Sequence, residues 1–179
     1  MPTLKDVISR YDSICAFCDS LWDKAVIYNP DQIHCHAGCS DCCELETVSA
    51  IEAFKIIMHI GLNAQTCRST NNPGCCTFLE NNRCRIYSCR PVICRTHGLL
   101  LKSGEDSCIQ SCPYNFQGCK NPDQTSILDW ESLTINLMKI NMAFCTLAGF
   151  PELASQRILL SDITSGKIPD KLTFALSSL

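Results

Sequence analysis

The sequence lacks the features that mark exported, membrane-spanning and nucleic-acid-binding chains. Its first residues, 1–7, are polar and helix-like, with no apolar export core and no small-residue cleavage site. It has no run of about 18 apolar residues that could cross a membrane. Lys and Arg number 15 against 18 Asp and Glu, and they form no basic stripe of the kind that binds nucleic acid. These absences predict a cytoplasmic protein with no membrane and no nucleic-acid partner.

What the chain has in abundance is cysteine. Sixteen of its 179 residues are Cys, a surplus typical of secreted disulfide modules, of metal or cluster proteins and of redox proteins. Because the sequence carries no export signal, a metal, cluster or redox protein with reduced cysteines is favoured over a disulfide framework. A hydrophobic fraction of 46% is enough to fill a core without disulfide bridges. We therefore expect a single domain, 1–179, whose cysteines bind metal.

Local signals predict amphipathic helices on both sides of a cysteine-rich centre. Apolar residues recur at three- and four-residue steps over 4–25, and a Ser-Ala-Ile-Glu capping box opens a second helix at 49–61. A third helix is expected from about 126 to 148, and a shorter one over 151–160. The predicted fold is mostly α, with helices that bracket a long cysteine-rich metal-binding loop. Its parts are an N-terminal helix (1–30), a cysteine-cluster region (31–120) and C-terminal helices (121–179).

The cysteine-rich centre begins with the densest set of thiols in the chain. Residues 35–43 read Cys-His-Ala-Gly-Cys-Ser-Asp-Cys-Cys, and a second set follows at Cys76, Cys84 and Cys94. Thiolates are soft ligands that suit zinc and iron–sulfur clusters. Residues 63–123 show little periodicity and many Cys, Asn, Gly and Pro, so a bound metal would supply their order.

Two of these thiols are adjacent, at Cys42 and Cys43. Adjacent side chains point in different directions in most backbones, so the pair is poorly arranged to bind one ion. Two metals, or a multinuclear centre with bridging sulfur, fit the pair better. The Cys35-x3-Cys39-x2-Cys42 spacing is also that of a radical S-adenosylmethionine cluster, but the sequence shows no series of parallel strands to house that chemistry.

The order of the motifs resembles the YkgJ-type cysteine-cluster family. The matching motifs are a Cys-x3-Cys-x2-Cys-Cys run, a capped helix, Cys-x-Phe-Leu, Cys-x-Ile-Tyr and Arg-Pro-x-x-Cys-Arg, spread over roughly residues 33–114. That family is described as a zinc- or iron-chelating domain. A related cysteine arrangement occurs in flagellin lysine N-methylases, which are thought to combine an iron–sulfur cluster with S-adenosylmethionine.

The resemblance implies a set of eight cysteine ligands. Carried over by position, they are Cys35, Cys39, Cys42, Cys43, Cys76, Cys84, Cys94 and Cys112. Eight ligands exceed the four that one tetrahedral zinc or one cubane cluster needs, so the implied centre is polynuclear. The surplus of cysteine favours an iron–sulfur centre such as [4Fe-4S], with zinc as the alternative.

Residues beside the cysteines are candidates for tuning the centre. Arg90 and Arg95 flank Cys94, where they could offset thiolate charge and donate hydrogen bonds to sulfur; the alternative is a solvated arginine beside a turn. Tyr87 is a candidate to donate a hydrogen bond to a cysteine sulfur; the alternative is a half-buried core residue.

The remaining cysteines divide between the core and the loops. Cys15 and Cys18 lie on the apolar stripe of the first helix, and Cys145 lies near the apolar face of the third, so core packing is expected for them. Cys108 and Cys119 lie among Pro, Asn and Gly, where packing explains them poorly. At least one cysteine of this loop is therefore expected to be a ligand.

Three functional classes remain open. The first is a protein that carries a polynuclear iron–sulfur or zinc–thiolate centre for electron transfer or metal and cluster handling, with a protein or redox partner. The second is a cluster-dependent enzyme, for example one of S-adenosylmethionine-linked methyl transfer. The third is a structural zinc module. A glycine-rich phosphate loop and a Ser-His-Asp signature are both absent from the sequence.

Overall fold

Helices dominate the architecture and short strands connect them. The computed structural model describes residues 2–61, 74–104, 108–118, 122 and 126–177. The helices are α1 (Leu4–Tyr28), α2 (Ala50–Ile60), α3 (Val92–Thr96), α4 (Trp130–Leu147), α5 (Leu160–Thr164) and α6 (Asp170–Ser177), with 3-10 turns at Tyr87–Cys89 and Pro151–Ser155. The strands are β1 (Thr47–Val48), β2 (Leu79–Glu80), β3 (Arg83–Cys84), β4 (Leu100–Ser103), β5 (Cys108–Gln110), β6 (Ile127–Asp129) and β7 (Ile158–Leu159). The mostly helical class is confirmed, and small sheets are added to it.

Helix α1 forms where its sequence predicts. The Thr3 hydroxyl accepts from the Asp6 amide at 3.2 Å, and the Asp6 carboxylate accepts from the Thr3 amide at 2.8 Å, so the first turn is capped reciprocally. One face of the helix is buried along its length. Cys15 and Cys18 lie on that face and are buried, as the apolar stripe predicts.

The start of α2 is tied to the start of α3 by one buried carboxylate. Glu52 is only 4% exposed. Its Oε2 accepts from the amide of Ser49 at 3.0 Å, which completes the predicted capping box, and its Oε1 accepts from the amide of Val92 at 3.1 Å. The helix ends at Gly61, whose φ of +75° favours glycine.

Helix α4 is shorter than the sequence predicts. The expected start near residue 126 is wrong, because residues 127–129 extend as β6 and pair with β4 in parallel, Leu101 opposite Leu128. The helix begins at Trp130, after the Asp129 carboxylate accepts from the Ser132 amide at 2.9 Å.

The helix expected over 151–160 is also wrong. It is replaced by a 3-10 turn, then by strand β7, which pairs antiparallel with β1, and then by α5.

One connected core joins these elements. The rings of Phe54 and Phe144 lie 5.0 Å apart between their centroids and join α2 to α4. Phe78, Ile86 and Val92, from the cysteine-rich middle of the chain, are buried in the same cluster. The cysteine-bearing segments are therefore anchored to the helical core. Along the described part of the chain, no helix combines the length and the apolar character that a membrane crossing requires.

Candidate metal centre

The Cys35–Cys43 loop is built from two consecutive tight turns. In the first, the Cys39 amide donates to the His36 carbonyl at 3.0 Å; in the second, the Cys43 amide donates to the Ser40 carbonyl at 2.9 Å. Gly38 has a φ of +100°, which a residue with a side chain rarely adopts, and it closes the first turn. The turns fold the loop back on itself, and Cys39 and Cys42 lie near enough to Cys35 to raise the pKa of its thiol.

The second set of thiols is carried by a β-hairpin. Strands β2 and β3 pair antiparallel, with Leu79 opposite Cys84. Asn81 and Asn82 form the turn at φ values of 51° and 59°, a left-handed conformation that Asn tolerates better than most residues. Sequence reasoning missed this hairpin, although the Asn-Asn doublet between the cysteines is a recognisable turn signal.

The hairpin explains the Cys-x-Phe and Cys-x-Ile motifs physically. The amide of Phe78 donates to the sulfur of Cys76, and the amide of Ile86 donates to the sulfur of Cys84. Both hydrophobic side chains are buried in the core. These amide–sulfur bonds lower the pKa of each thiol, although burial has the larger effect and raises it overall. Each motif therefore places a cysteine two residues before a buried hydrophobic anchor, where burial favours the neutral thiol.

Four thiols make up what we call the inner group: Cys43, Cys76, Cys84 and Cys94. The Cys76 amide donates to the Cys43 carbonyl at 2.7 Å, which joins the hairpin to the first loop. Burial raises the pKa of the Cys94 thiol to about 12, and the neighbouring thiols of Cys76, Cys84 and Cys42 add to the effect. The thiols of Cys84 and Cys94 in turn help to raise the pKa of Cys43.

A second set of four makes up the outer group: Cys35, Cys39, Cys42 and Cys112. Burial raises the pKa of Cys35 to about 11, and the other three thiols of the group add to this effect. The thiols of Cys35 and Cys39 also share a hydrogen bond. Cys35 and Cys42 are exposed, whereas every member of the inner group is half-buried.

Asn115 brings Cys112 to the outer group. Its side chain is 1% exposed. Its Oδ1 accepts from the amides of His34 and Cys35 at 2.9 and 3.2 Å, and its Nδ2 donates to the Gly98 carbonyl at 2.9 Å. Three segments distant in sequence are thus held by one amide group. Sequence reasoning missed Asn115, because these partners lie 17 to 81 positions away.

The two groups meet at Cys42 and Cys43. Their thiols share a hydrogen bond, which lowers the pKa of Cys42 to about 6 with help from nearby His97 and raises the pKa of Cys43. The pair therefore gives up one proton readily and retains the other.

Arg90 and Arg95 fasten the Cys94 segment to α1. Both guanidinium groups form ion pairs with Asp19, and Arg95 also donates to the carbonyls of Ser88 and Arg90. The positive charge of Arg90 also has a lowering effect on the pKa of the Cys84 thiol.

Tyr87 has a different environment from the other two candidate tuning residues. It is 61% exposed, and its ring lies 4.0 Å below the Arg90 guanidinium.

The thiols approach one another without reaching coordination geometry. Within the described residues, no three Cys, His, Asp or Glu side chains stand close enough, as placed, to hold a metal ion. Zinc–sulfur bonds of about 2.3 Å require tighter convergence, which side-chain rotation would have to supply. The donors themselves are thiols, which fit zinc or an iron–sulfur centre. Cys67 and Cys119 lie outside the described residues, as does the side chain of Cys108.

Comparison with known proteins adds no assignment. The chain matches no protein-family model, no curated protein and no solved structure. The resemblance to the YkgJ-type family accordingly remains an expectation that rests on the motifs.

Proposed function

We propose that the protein carries a polynuclear metal centre on the inner and outer groups and uses it for electron transfer or for metal and cluster handling. In this proposal the cysteine-rich region is a metal-binding segment bracketed by helices, and the centre is iron–sulfur, with zinc–thiolate as the alternative. The proposal is supported by the electrostatic effects among the eight thiols, from which we assign two groups of four, with Cys42 acting on members of both. Four is the number of thiolates that one tetrahedral zinc or one [4Fe-4S] cluster takes.

The adjacent cysteines Cys42 and Cys43 would connect the two groups. Cys42 would serve the outer group and Cys43 the inner group, so each site receives one ligand from the same turn. Two metal sites would then lie side by side, joined by a single peptide bond. A bound iron–sulfur centre would supply one-electron exchange, and the amides that donate to Cys76 and Cys84 would tune its potential.

The difference in exposure between the groups supports a handling or redox role. The outer group presents Cys35 and Cys42 to solvent, where a protein or redox partner can approach. The inner group is half-buried against the core. Solvent exposure is one of the factors that set cluster potential and lability. An exposed site beside a protected one suits the exchange of electrons or metal with a partner.

Anaerobic purification, followed by metal and acid-labile sulfide analysis and a visible spectrum on one sample, tests the proposal. Iron and sulfide in comparable amounts would support an iron–sulfur centre. Zinc without sulfide would replace it with the zinc–thiolate alternative. A protein that carries neither metal would contradict the proposal.

Single variants test the division into groups. Cys84→Ser and Cys112→Ser should each lower the metal content by about half, one through the inner group and one through the outer. Cys75→Ser is the matched control, because Cys75 is exposed and adjoins Cys76 without belonging to either group. Equal metal content in all three variants would contradict the division.

A further inference from the structure

Two thiols of the outer group, Cys35 and Cys39, lie on either side of one tight turn. The Cys39 amide donates to the His36 carbonyl at 3.0 Å, and Gly38 supplies the φ of +100° that the turn requires. The turn brings the two cysteines together, and their thiols share a hydrogen bond. Both cysteines are free, so the reduced protein holds two sulfurs in direct contact.

The other thiols near Cys35 are less suited to pair with it. The Cys42 thiol is hydrogen-bonded to its neighbour Cys43. The Cys112 thiol also acts on Cys35, but it belongs to a distant segment, so a bridge to it would close a much longer loop at a greater cost in entropy. A bridge from Cys35 to Cys39 encloses only residues 36–38.

The turn is open to a small reactant. Residues 34–38 are all exposed, and Cys39 is partly exposed. Thiol–disulfide exchange needs a sulfur that the incoming disulfide can reach and a second thiol close enough to displace it. Cys39 and Cys35 meet both requirements.

We infer that Cys35 and Cys39 form a site of reversible oxidation, at which a low-molecular-weight disulfide of the glutathione class converts the metal-free thiol pair into an intramolecular disulfide. The inference goes beyond the proposed function, since it concerns the metal-free chain and requires no metal to bind at any stage.

The exchange proceeds in two balanced steps. Cys35 holds its proton in the shared hydrogen bond, so Cys39 attacks first, as the thiolate. It breaks the sulfur–sulfur bond of the oxidant, forms a mixed disulfide and releases one small thiolate. The Cys35 sulfur then attacks the Cys39 sulfur, and its proton leaves with the second small thiol. Two electrons pass from the protein pair to the oxidant, which is reduced to two thiols.

The test treats the full-length, chelator-stripped protein anaerobically with glutathione disulfide, followed by an acid quench and alkylation of the remaining thiols. Residues 25–54 contain no Lys or Arg, so four thiols of the cluster fall in a single tryptic peptide: Cys35, Cys39, Cys42 and Cys43. Fragmentation of that peptide by mass spectrometry should place a disulfide between Cys35 and Cys39. Bridges from either residue to another cysteine, or two residues that stay reduced, would overturn the inference.

Variants test the order of the two steps. Cys35→Ser removes the displacing sulfur, so glutathione should remain on Cys39 as a mixed disulfide. Cys75→Ser is the matched control, because Cys75 is exposed and lies outside both groups; it should form the same bridge as the wild type. A wild-type protein that keeps glutathione on Cys39 as fully as Cys35→Ser does would overturn the inference, since no bridge would then form.

Metal analysis of the same preparation before chelation separates this inference from the proposed function. If the purified protein carries no metal, the proposed function fails alone, and the position of the disulfide still decides the inference. If it carries metal and the stripped chain forms no bridge between Cys35 and Cys39, the inference fails alone.

Discussion

At the scale of single residues, the geometry of the outer group depends on polar side chains that are not ligands. Asn115 holds the amide of Cys35 and the carbonyl of Gly98 from a buried position. The Tyr114 hydroxyl donates to the Asp41 carboxylate at 2.6 Å and links the Cys112 segment to the turn that carries Cys42. Such contacts orient metal ligands, and their loss typically costs 10–100-fold in metal affinity.

Replacement of Asn115 tests this role. Asn115→Ala leaves the buried Gly98 carbonyl and the part-buried amides of His34 and Cys35 without this partner, so the free energy of unfolding should fall by about 1–3 kcal/mol. Metal affinity at the outer group should fall 10–100-fold. Urea unfolding and competition with a chelator measure the two effects. Asn136→Ala, at an exposed position of α4, is the control and should change neither.

Gly98 offers an independent check of the same contact. A Cβ atom there would lie 2.9 Å from the Asn115 amide nitrogen and 2.9 Å from the Trp22 ring, at a φ of +96°. Gly98→Ala should therefore reproduce the loss of metal affinity. Wild-type affinity in both Asn115→Ala and Gly98→Ala would show that the outer group does not depend on this contact.

The hydrogen bond between Cys42 and Cys43 predicts an unusual pH dependence in the metal-free, reduced protein. Because the pKa of Cys42 is lowered to about 6, its reactive thiolate is present above that pH and is lost below it. The pKa values of Cys35 and Cys94 are raised to about 11 and 12, so they should stay unreactive at neutral pH. Iodoacetamide labelling from pH 5 to 9, read by mass spectrometry, measures this order. A Cys42 midpoint near 9 would contradict it.

At the scale of elements, the sequence predicts what is local and misses what is distant. Helices α1 and α2 begin at reciprocal caps three residues apart, which can be read directly from the chain. Strand β6 pairs with β4 at a separation of 27 residues, and its short segment reads as the first turn of a helix. The eight candidate ligands could be proposed from motifs, whereas their division into two groups depends on such distant contacts.

The hairpin turn between Cys76 and Cys84 is a test at this scale. Asn81 has a φ of 51°, so Asn81→Val should cost about 1–2 kcal/mol of stability through steric strain. Asn81→Gly removes the strain and serves as the control, with little change expected. Thermal unfolding and metal content measure the two variants. Equal behaviour of the Val and Gly variants would mean that the turn does not set the hairpin.

Glu52 is the corresponding test where two helices meet. Glu52→Ala leaves the buried amides of Ser49 and Val92 without their hydrogen-bond acceptor, so the free energy of unfolding should fall by about 2 kcal/mol or more. Glu131 occupies the equivalent first turn of α4 at an exposed position, and Glu131→Ala should cost far less. Chemical denaturation compares the two. A small effect of Glu52→Ala would show that the capping box and the link to α3 are dispensable.

At the scale of the whole molecule, the helical core and the cysteine-rich region form one packed body. Phe78, Ile86 and Val92 belong to the same buried cluster as the helices. The thiols lie at the edge of this body, where hydrophobic burial alone is incomplete. A structural zinc bound by four thiolates contributes roughly 10–16 kcal/mol at neutral pH, comparable to the roughly 5–15 kcal/mol of an entire domain. A metal centre bound by these thiols would therefore be a dominant source of order for the region around it.

Removal of metal should consequently affect the two parts of the molecule unequally. In the metal-free protein we expect loss of amide protection within residues 63–123, because the metal that would cross-link the cysteines of both groups is gone, whereas α1 and α4 keep their protection through the Phe54–Phe144 core. Hydrogen exchange with mass spectrometry, on loaded and chelator-treated samples, measures the difference peptide by peptide. Retention of native-like protection in residues 63–123 would contradict the prediction and show that the core alone orders them. Collapse of α1 and α4 as well would mean that the metal centre, rather than the helices, holds the fold together.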